Sequence, residues 1–146
     1  MAEQLAVGAV VRRGKDVLLV SEQTDGDTVW ALPGGAVEAA EPLLARVAQE
    51  AGFAAVTAER LLWVARYAAG GAHYEMLGFE VTGVGPHDGS GAWVHLAEAV
   101  ERLGRMWFAP IREPAVAYLT GRARVATVWT WAALDEPPAT VPHVAL

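Results

Sequence analysis

Trp30-Ala31-Leu32-Pro33-Gly34-Gly35-Ala36-Val37-Glu38-Ala39-Ala40-Glu41-Pro42-Leu43-Leu44-Ala45-Arg46-Val47-Ala48-Gln49-Glu50-Ala51-Gly52-Phe53 is the stretch on which the reading of this chain turns. A short apolar run ending at Leu32 reads as a strand, and Pro33-Gly34-Gly35 stops it in a tight turn. Leu44, Val47, Ala48 and Ala51 then recur at i, i+3, i+4 and i+7. Pro42 suits a first helical turn and Gly52 a left-handed stop, so the spacing predicts one short amphipathic helix over 42–51. Gly34 and Gly35 serve the turn before it, and a turn of that kind also cradles phosphate.

Glu38, Glu41 and Glu50 are the carboxylates of this stretch. Clustered carboxylates hold Mg²⁺ or Mn²⁺, and such an ion neutralises a diphosphate and orients or deprotonates the water that hydrolyses it. The stretch resembles the Nudix box, which reads Gly, five residues, Glu, seven residues, Arg-Glu, an apolar residue, any residue, Glu-Glu, any residue, Gly, apolar. Gly35 and Glu41 keep the first spacing, Trp30 to Gly35 is similar to the family's approach to its loop, and Glu50-Ala51-Gly52-Phe53 is similar to its exit. The resemblance runs from about Leu5 to Leu119 and includes Ala92 to Ala99, which looks like the family's late strand and helix.

The resemblance implies an α/β (α+β) fold, a Nudix-like α/β/α sandwich with a mixed β-sheet and a short Nudix helix at about 42–51. It implies a hydrolase of a nucleoside diphosphate linked to another moiety, a pyrophosphatase acting on acid anhydrides with Mg²⁺ or Mn²⁺ as cofactor. Glu50 is then the catalytic residue and principal metal ligand, with Glu41 and Glu38 as further ligands. Gly34, Gly35, Arg46, Gln49, His73, Glu75 and Trp107 are the candidate substrate contacts.

The box is degenerate and shortened. Counted back from Gly52, Gln49 stands where the family has the first Glu of its pair, and Arg46 and Ala45 stand where it has Glu and Arg. Between Glu41 and Gly52 the chain is four residues shorter than the family spacing, which overshoots one helical turn by about 40° and roughly preserves the helix face. Arg46 precedes Glu50 by four residues, the spacing of a helical ion pair. Two function classes therefore stay open: an impaired or altered hydrolase, and an inactive module that binds a nucleotide or metabolite. A third, Arg46 binding an anion directly in place of a metal, accompanies them.

Around this segment the pattern predicts a hairpin of Leu5–Val11 with Val17–Val20, and a second of Leu61–Tyr67 with Tyr74–Thr82. Ala92–Leu96 reads as a strand, Leu96–Leu103 as a helix, and Ala115–Leu119 as a last short helix with Pro114 in its first turn. One domain is expected over 1–120, and 121–146 as an extension with an extra strand in Val125–Trp131 and then a loose tail. His73 and Glu75 share a strand face, opposite Glu80, and can line one pocket. Asp88 is the carboxylate of the Pro86–Gly91 loop and its candidate base. Trp107-Phe108-Ala109-Pro110 offers an aromatic wall, and Trp129 and Trp131 can anchor a homodimer.

Composition excludes several classes. With 53% hydrophobic and 19% charged residues, a chain of 146 residues buries roughly two thirds of its unfolded surface and builds a core. A net charge of −6 with scattered basic residues argues against nucleic-acid and anionic-membrane partners, leaving a small nucleotide or diphosphate-like ligand. The absence of cysteine excludes disulfides, thiolate zinc sites and thiol nucleophiles. His73, His87, His95 and His143 lack zinc spacing. Met1-Ala2-Glu3-Gln4 lacks a charged leader segment and no run is long enough to span a membrane, so a cytoplasmic location is expected.

Overall fold

The structure is a computed structural model and describes residues 3–38 and 41–142. His143, one of the four histidines weighed above, lies outside the described residues. Strand β1 (Glu3–Arg13) is the spine: it pairs in parallel with β6 (Ala72–Val84) from Glu3 to Val11 and antiparallel with β4 (Gly34–Val37) from Leu5 to Gly8. Its last residues turn through Gly14 into a hairpin with β2 (Asp16–Thr24), which carries β3 (Asp27–Ala31) and β7 (Ala92–His95) on its two edges. β5 (Ala55–Ala69) pairs antiparallel with β6 over nearly its whole length, and β8 (Thr127–Thr130) and β9 (Ala139–Val141) extend the sheet beyond it.

Three helices cover this mixed sheet, and the period-2 alternation of β1 shows on which side each lies. Val7, Ala9 and Val11 face the helix α1 (Leu43–Ala51), packing with Val47, Ala48 and Ala51. Val10 faces the other way, into a core with Leu103 of α2 (Leu96–Leu103) and Ala115 and Leu119 of α3 (Ala109–Leu119). The result is the expected α/β/α sandwich with a mixed sheet. Full burial of Val47 alone removes enough apolar surface to contribute about 2 kcal/mol to docking α1.

Helix α1 stops where Gly52 adopts φ 84° and its N–H returns to the Ala48 carbonyl at 3.0 Å. The positive φ favours glycine here, and a Cβ would in addition have to displace the Asp88 carboxylate.

Four readings are corrected. Pro33-Gly34-Gly35 is not simply a turn: Gly34 already begins β4, because β1 lies alongside and supplies ladder partners. α3 begins at Ala109, six residues before the expected Ala115, with Pro110 in its first turn and Pro114 inside it. The tail beyond Trp131 contributes β9 to the sheet. Trp129 and Trp131 are 9% and 3% exposed and stack on each other within the α2–α3 core, so neither is free to anchor a homodimer.

Candidate active site

The β4–α1 connection places the carboxylates. Glu38 follows β4, and the Glu41 N–H, just before α1, donates to the Glu38 carbonyl at 3.0 Å. From the first turns of α1, Arg46 reaches back. Its Nε donates to Glu41 Oε1 at 2.9 Å and one terminal nitrogen to Glu41 Oε2 at 3.5 Å. The other terminal nitrogen lies 3.5 Å from Glu50 Oε1, one turn further along the helix. The three side chains are 23%, 25% and 38% exposed for Arg46, Glu41 and Glu50, so the cluster is partly shielded from water. One guanidinium thus bridges both carboxylates.

One expected ligand, Glu38, and one expected substrate contact, Gln49, stand apart. Glu38 is exposed and makes no side-chain hydrogen bond among the described residues. Gln49 is exposed on another face of α1, over a shallow groove with Leu44, Phe53 and Val56. Among the described residues no three His, Asp or Glu side chains converge as a metal cluster. Glu41 and Glu50, already paired with a cation of fixed charge, do not fit the carboxylate cluster a divalent ion needs. Arg46 gathers Glu41 and Glu50, while the exposed Glu38 side chain is not part of that cluster.

The Pro86–Gly91 loop docks on the C-terminal end of α1. His87 Nε2 donates to the Ala51 carbonyl at 2.8 Å while its ring packs between Phe53 and Trp93. The Asp88 N–H donates to the Gly52 carbonyl, and its carboxylate accepts the Ser90 N–H at 2.8 Å. Hydrogen bonds from Ser90, side chain then backbone, hold the Asp88 carboxyl below the usual carboxylate range, which makes it a weaker proton acceptor.

Across the edge strand from Arg46 lies a cavity of ≈ 280 Å³. Gly34 and Gly35 form its rim, and Trp63, Tyr67, Tyr74 and Met76 line it from the β5–β6 hairpin. Met106 and Ile111 line it from the α2–α3 side, and Gln4 and Glu22 supply its polar side chains. Gly35 joins the two features: its backbone lines the cavity, and an added Cβ would stand 4.0 Å from Arg46 Cδ. Tyr67 and Tyr74 stack with ring centroids 5.0 Å apart, and Phe108 meets Tyr67 edge-on. Burial, then the neighbouring Tyr74, pushes the Tyr67 phenol above its ordinary value.

Sequence reasoning missed most of these wall residues, although a turn centred on Gly70-Gly71 already pairs Tyr67 with Tyr74 and Arg66 with Glu75. His73 and Glu75 line a second groove of ≈ 510 Å³ together with Arg66, Thr130 and Trp131. Glu75 stands two strands from Val37 in the same row, roughly 10 Å, and is paired with Arg66 at 3.0 Å. Trp107 is 70% exposed, tilted against Phe108 and not part of the cavity wall.

The fold has close counterparts. A NUDIX hydrolase from Nitrosomonas europaea superposes with a TM-score of 0.67 at 19% identity, covering 86% of this chain and 93% of its own. A mutator MutT protein from Bacillus halodurans gives 0.57 at 18%, covering 87% and 88%. A UDP-X diphosphatase gives 0.60 at 19%, covering 88% and 68%. No curated protein matches the sequence. The NUDIX domain family model matches residues 2–112, and with the sandwich and the α1 site in the places described, the chain belongs to the NUDIX domain family and carries the fold of its hydrolases.

Proposed function

We propose that the chain is a Nudix-type pyrophosphohydrolase of altered activity, acting on a nucleoside diphosphate linked to a second group. The observation that carries this reading is the cavity rimmed by Gly34 and Gly35, with Arg46, Glu41 and Glu50 on the other side of that rim. At ≈ 280 Å³ the cavity sits at the lower edge of the roughly 300–1,000 Å³ usual for ligand sites, so it takes one ring system rather than a whole substrate. The aromatic walls suit the flat face of a base. The diphosphate then crosses the glycine rim towards α1 and the second group lies outside. The presence of a UDP-X diphosphatase among the structural neighbours supports this substrate class.

Altered activity follows from charge. Nudix hydrolases in general use divalent ions, whereas here the cation between Glu41 and Glu50 is a guanidinium carrying one positive charge rather than two. We place the protein in the cytoplasm with a small-molecule substrate, a reading consistent with no described helix being long and apolar enough to cross a membrane.

The test incubates the protein with nucleoside triphosphates and nucleoside diphosphate conjugates in Mg²⁺ or Mn²⁺, reading product release and thermal stabilisation beside a Glu50→Ala control. The expected result is stabilisation by a conjugate and slow release that falls in the control. Neither stabilisation nor release across the panel refutes the reading. A second reading, binding without turnover, is favoured by the Arg46 bridge alone. It is distinguished by stabilisation that Glu50→Ala leaves intact, with no product.

A further inference from the structure

We propose that Arg46 is a resident cation: its guanidinium occupies the place between Glu41 and Glu50 where the fold would otherwise hold a divalent ion, and it keeps such an ion out. The inference deepens the reading above by saying how the α1 site is occupied, and rests on α1 being the Nudix helix.

The contacts are those of a cation coordinated by carboxylates. Glu41 is approached by two guanidinium nitrogens, at 2.9 and 3.5 Å, and Glu50 by a third at 3.5 Å. A planar fork holding two carboxylates leaves no shared space between them for an ion, since any ion bridging Glu41 and Glu50 must first displace Arg46. Arg46 Cδ runs past the Gly35 backbone, and the residue is 23% exposed.

Charge balance points the same way. Three helix carboxylates around a doubly charged ion carry one net negative charge, and so do two carboxylates around one guanidinium. The replacement of the box carboxylate by Arg46, with Gln49 in place of another, therefore leaves the local field close to what the fold tolerates.

Ion binding tests the inference without recourse to turnover. Free Mn²⁺ is followed by electron paramagnetic resonance during titration of the full chain, of Arg46→Gln, of Arg46→Glu, and of Arg46→Glu combined with Glu50→Gln. The unaltered chain is expected to show no saturable Mn²⁺ binding. A folded Arg46→Glu or Arg46→Gln variant is expected to bind Mn²⁺ tighter by about tenfold or more, the gain disappearing when Glu50→Gln is added. Mn²⁺ should also raise the melting temperature of Arg46→Glu, in which three carboxylates repel one another, and leave that of the unaltered chain in place.

Saturable binding by the unaltered chain that Glu50→Gln abolishes overturns the proposal, as does a folded Arg46→Gln variant with no gain. If Arg46→Glu does not fold, Arg46→Gln decides, and if neither folds the titration of the unaltered chain decides. The two readings fail separately. Turnover that saturates with Mn²⁺ and is lost in Glu50→Gln upholds the hydrolase and overturns the resident cation, whereas absence of both turnover and Mn²⁺ binding does the reverse.

Discussion

Replacing each of the two rim glycines by alanine separates backbone strain from close approach. Gly34 and Gly35 have nearly the same φ, 153° and 152°, a region that residues with a Cβ occupy at a cost of about 1–3 kcal/mol. They differ in surroundings. A Cβ on Gly35 meets nothing nearer than Arg46 Cδ at 4.0 Å, an ordinary contact, so Gly35→Ala is expected to cost only the strain. A Cβ on Gly34 would run into the Val7 carbonyl oxygen and stand 2.9 Å from Gly8 Cα. Both are backbone atoms of β1, so relief requires β4 to move off its partner and loosen the pairing that runs from Leu5↔Val37 to Gly8↔Gly34.

Losing about two ladder hydrogen bonds adds about 2 kcal/mol, which brings Gly34→Ala to about 3–5 kcal/mol. That is a large share of the roughly 5–15 kcal/mol by which a domain is stable. At about 2–4 °C per kcal/mol, the melting temperatures of the two variants should lie about 4–8 °C apart. Urea unfolding followed by tryptophan fluorescence measures the difference directly. Destabilisation of the two variants that is equal within about 0.5 kcal/mol would refute close packing of β4 on β1 as the reason for glycine at position 34.

Three further outcomes follow from the geometry. Glu41→Gln should destabilise by about 1 kcal/mol and Glu50→Gln by only a few tenths, because Glu41 makes the shorter, two-pronged contact with Arg46 and is the less exposed; equal losses in denaturant titrations would contradict that ranking. Trp63→Ala, at a side chain 4% exposed that packs over Gly78, should cost about 3–5 kcal/mol, whereas Trp107→Ala, 70% exposed, should stay within about 0.5 kcal/mol in the same assay. Burial and Tyr74 raise the Tyr67 phenol, so the fold favours its protonated form, no stability is lost until pH passes the ordinary phenol range, and the loss then grows up to the raised value. In a phenolate absorbance titration Tyr67 should ionise late, and Tyr74→Phe should bring it earlier; a Tyr67 that ionises within the ordinary phenol range refutes the buried setting.

Some of this molecule could be read residue by residue. Helix α1 runs Leu43–Ala51, within one residue of the span predicted from Pro42, the apolar repeat and Gly52, because helix limits are set by neighbours a few positions away. The α2 helix at Leu96–Leu103 was legible for the same reason, and the pairing of Arg46 with Glu50 needs only the helical repeat. The resemblance carried by Gly35, Glu41 and the Glu50–Phe53 exit named the family that the 2–112 match establishes.

Tertiary structure decided the rest. β4 exists because β1 stands beside it, although Pro33-Gly34-Gly35 reads locally as punctuation. Glu41 is tied to Arg46 more closely than Glu50 is, from a position ahead of α1 that the helical repeat does not specify. The cavity gathers Gln4, Glu22, Gly34, Trp63, Tyr74 and Ile111 from strands and helices far apart in the chain. Local sequence determines which hydrogen bonds a segment can make with itself, and so it specifies helices and their ends. Which strands lie side by side depends on the burial of the whole sheet, and with it the walls of the cavity and the neighbours of each glycine.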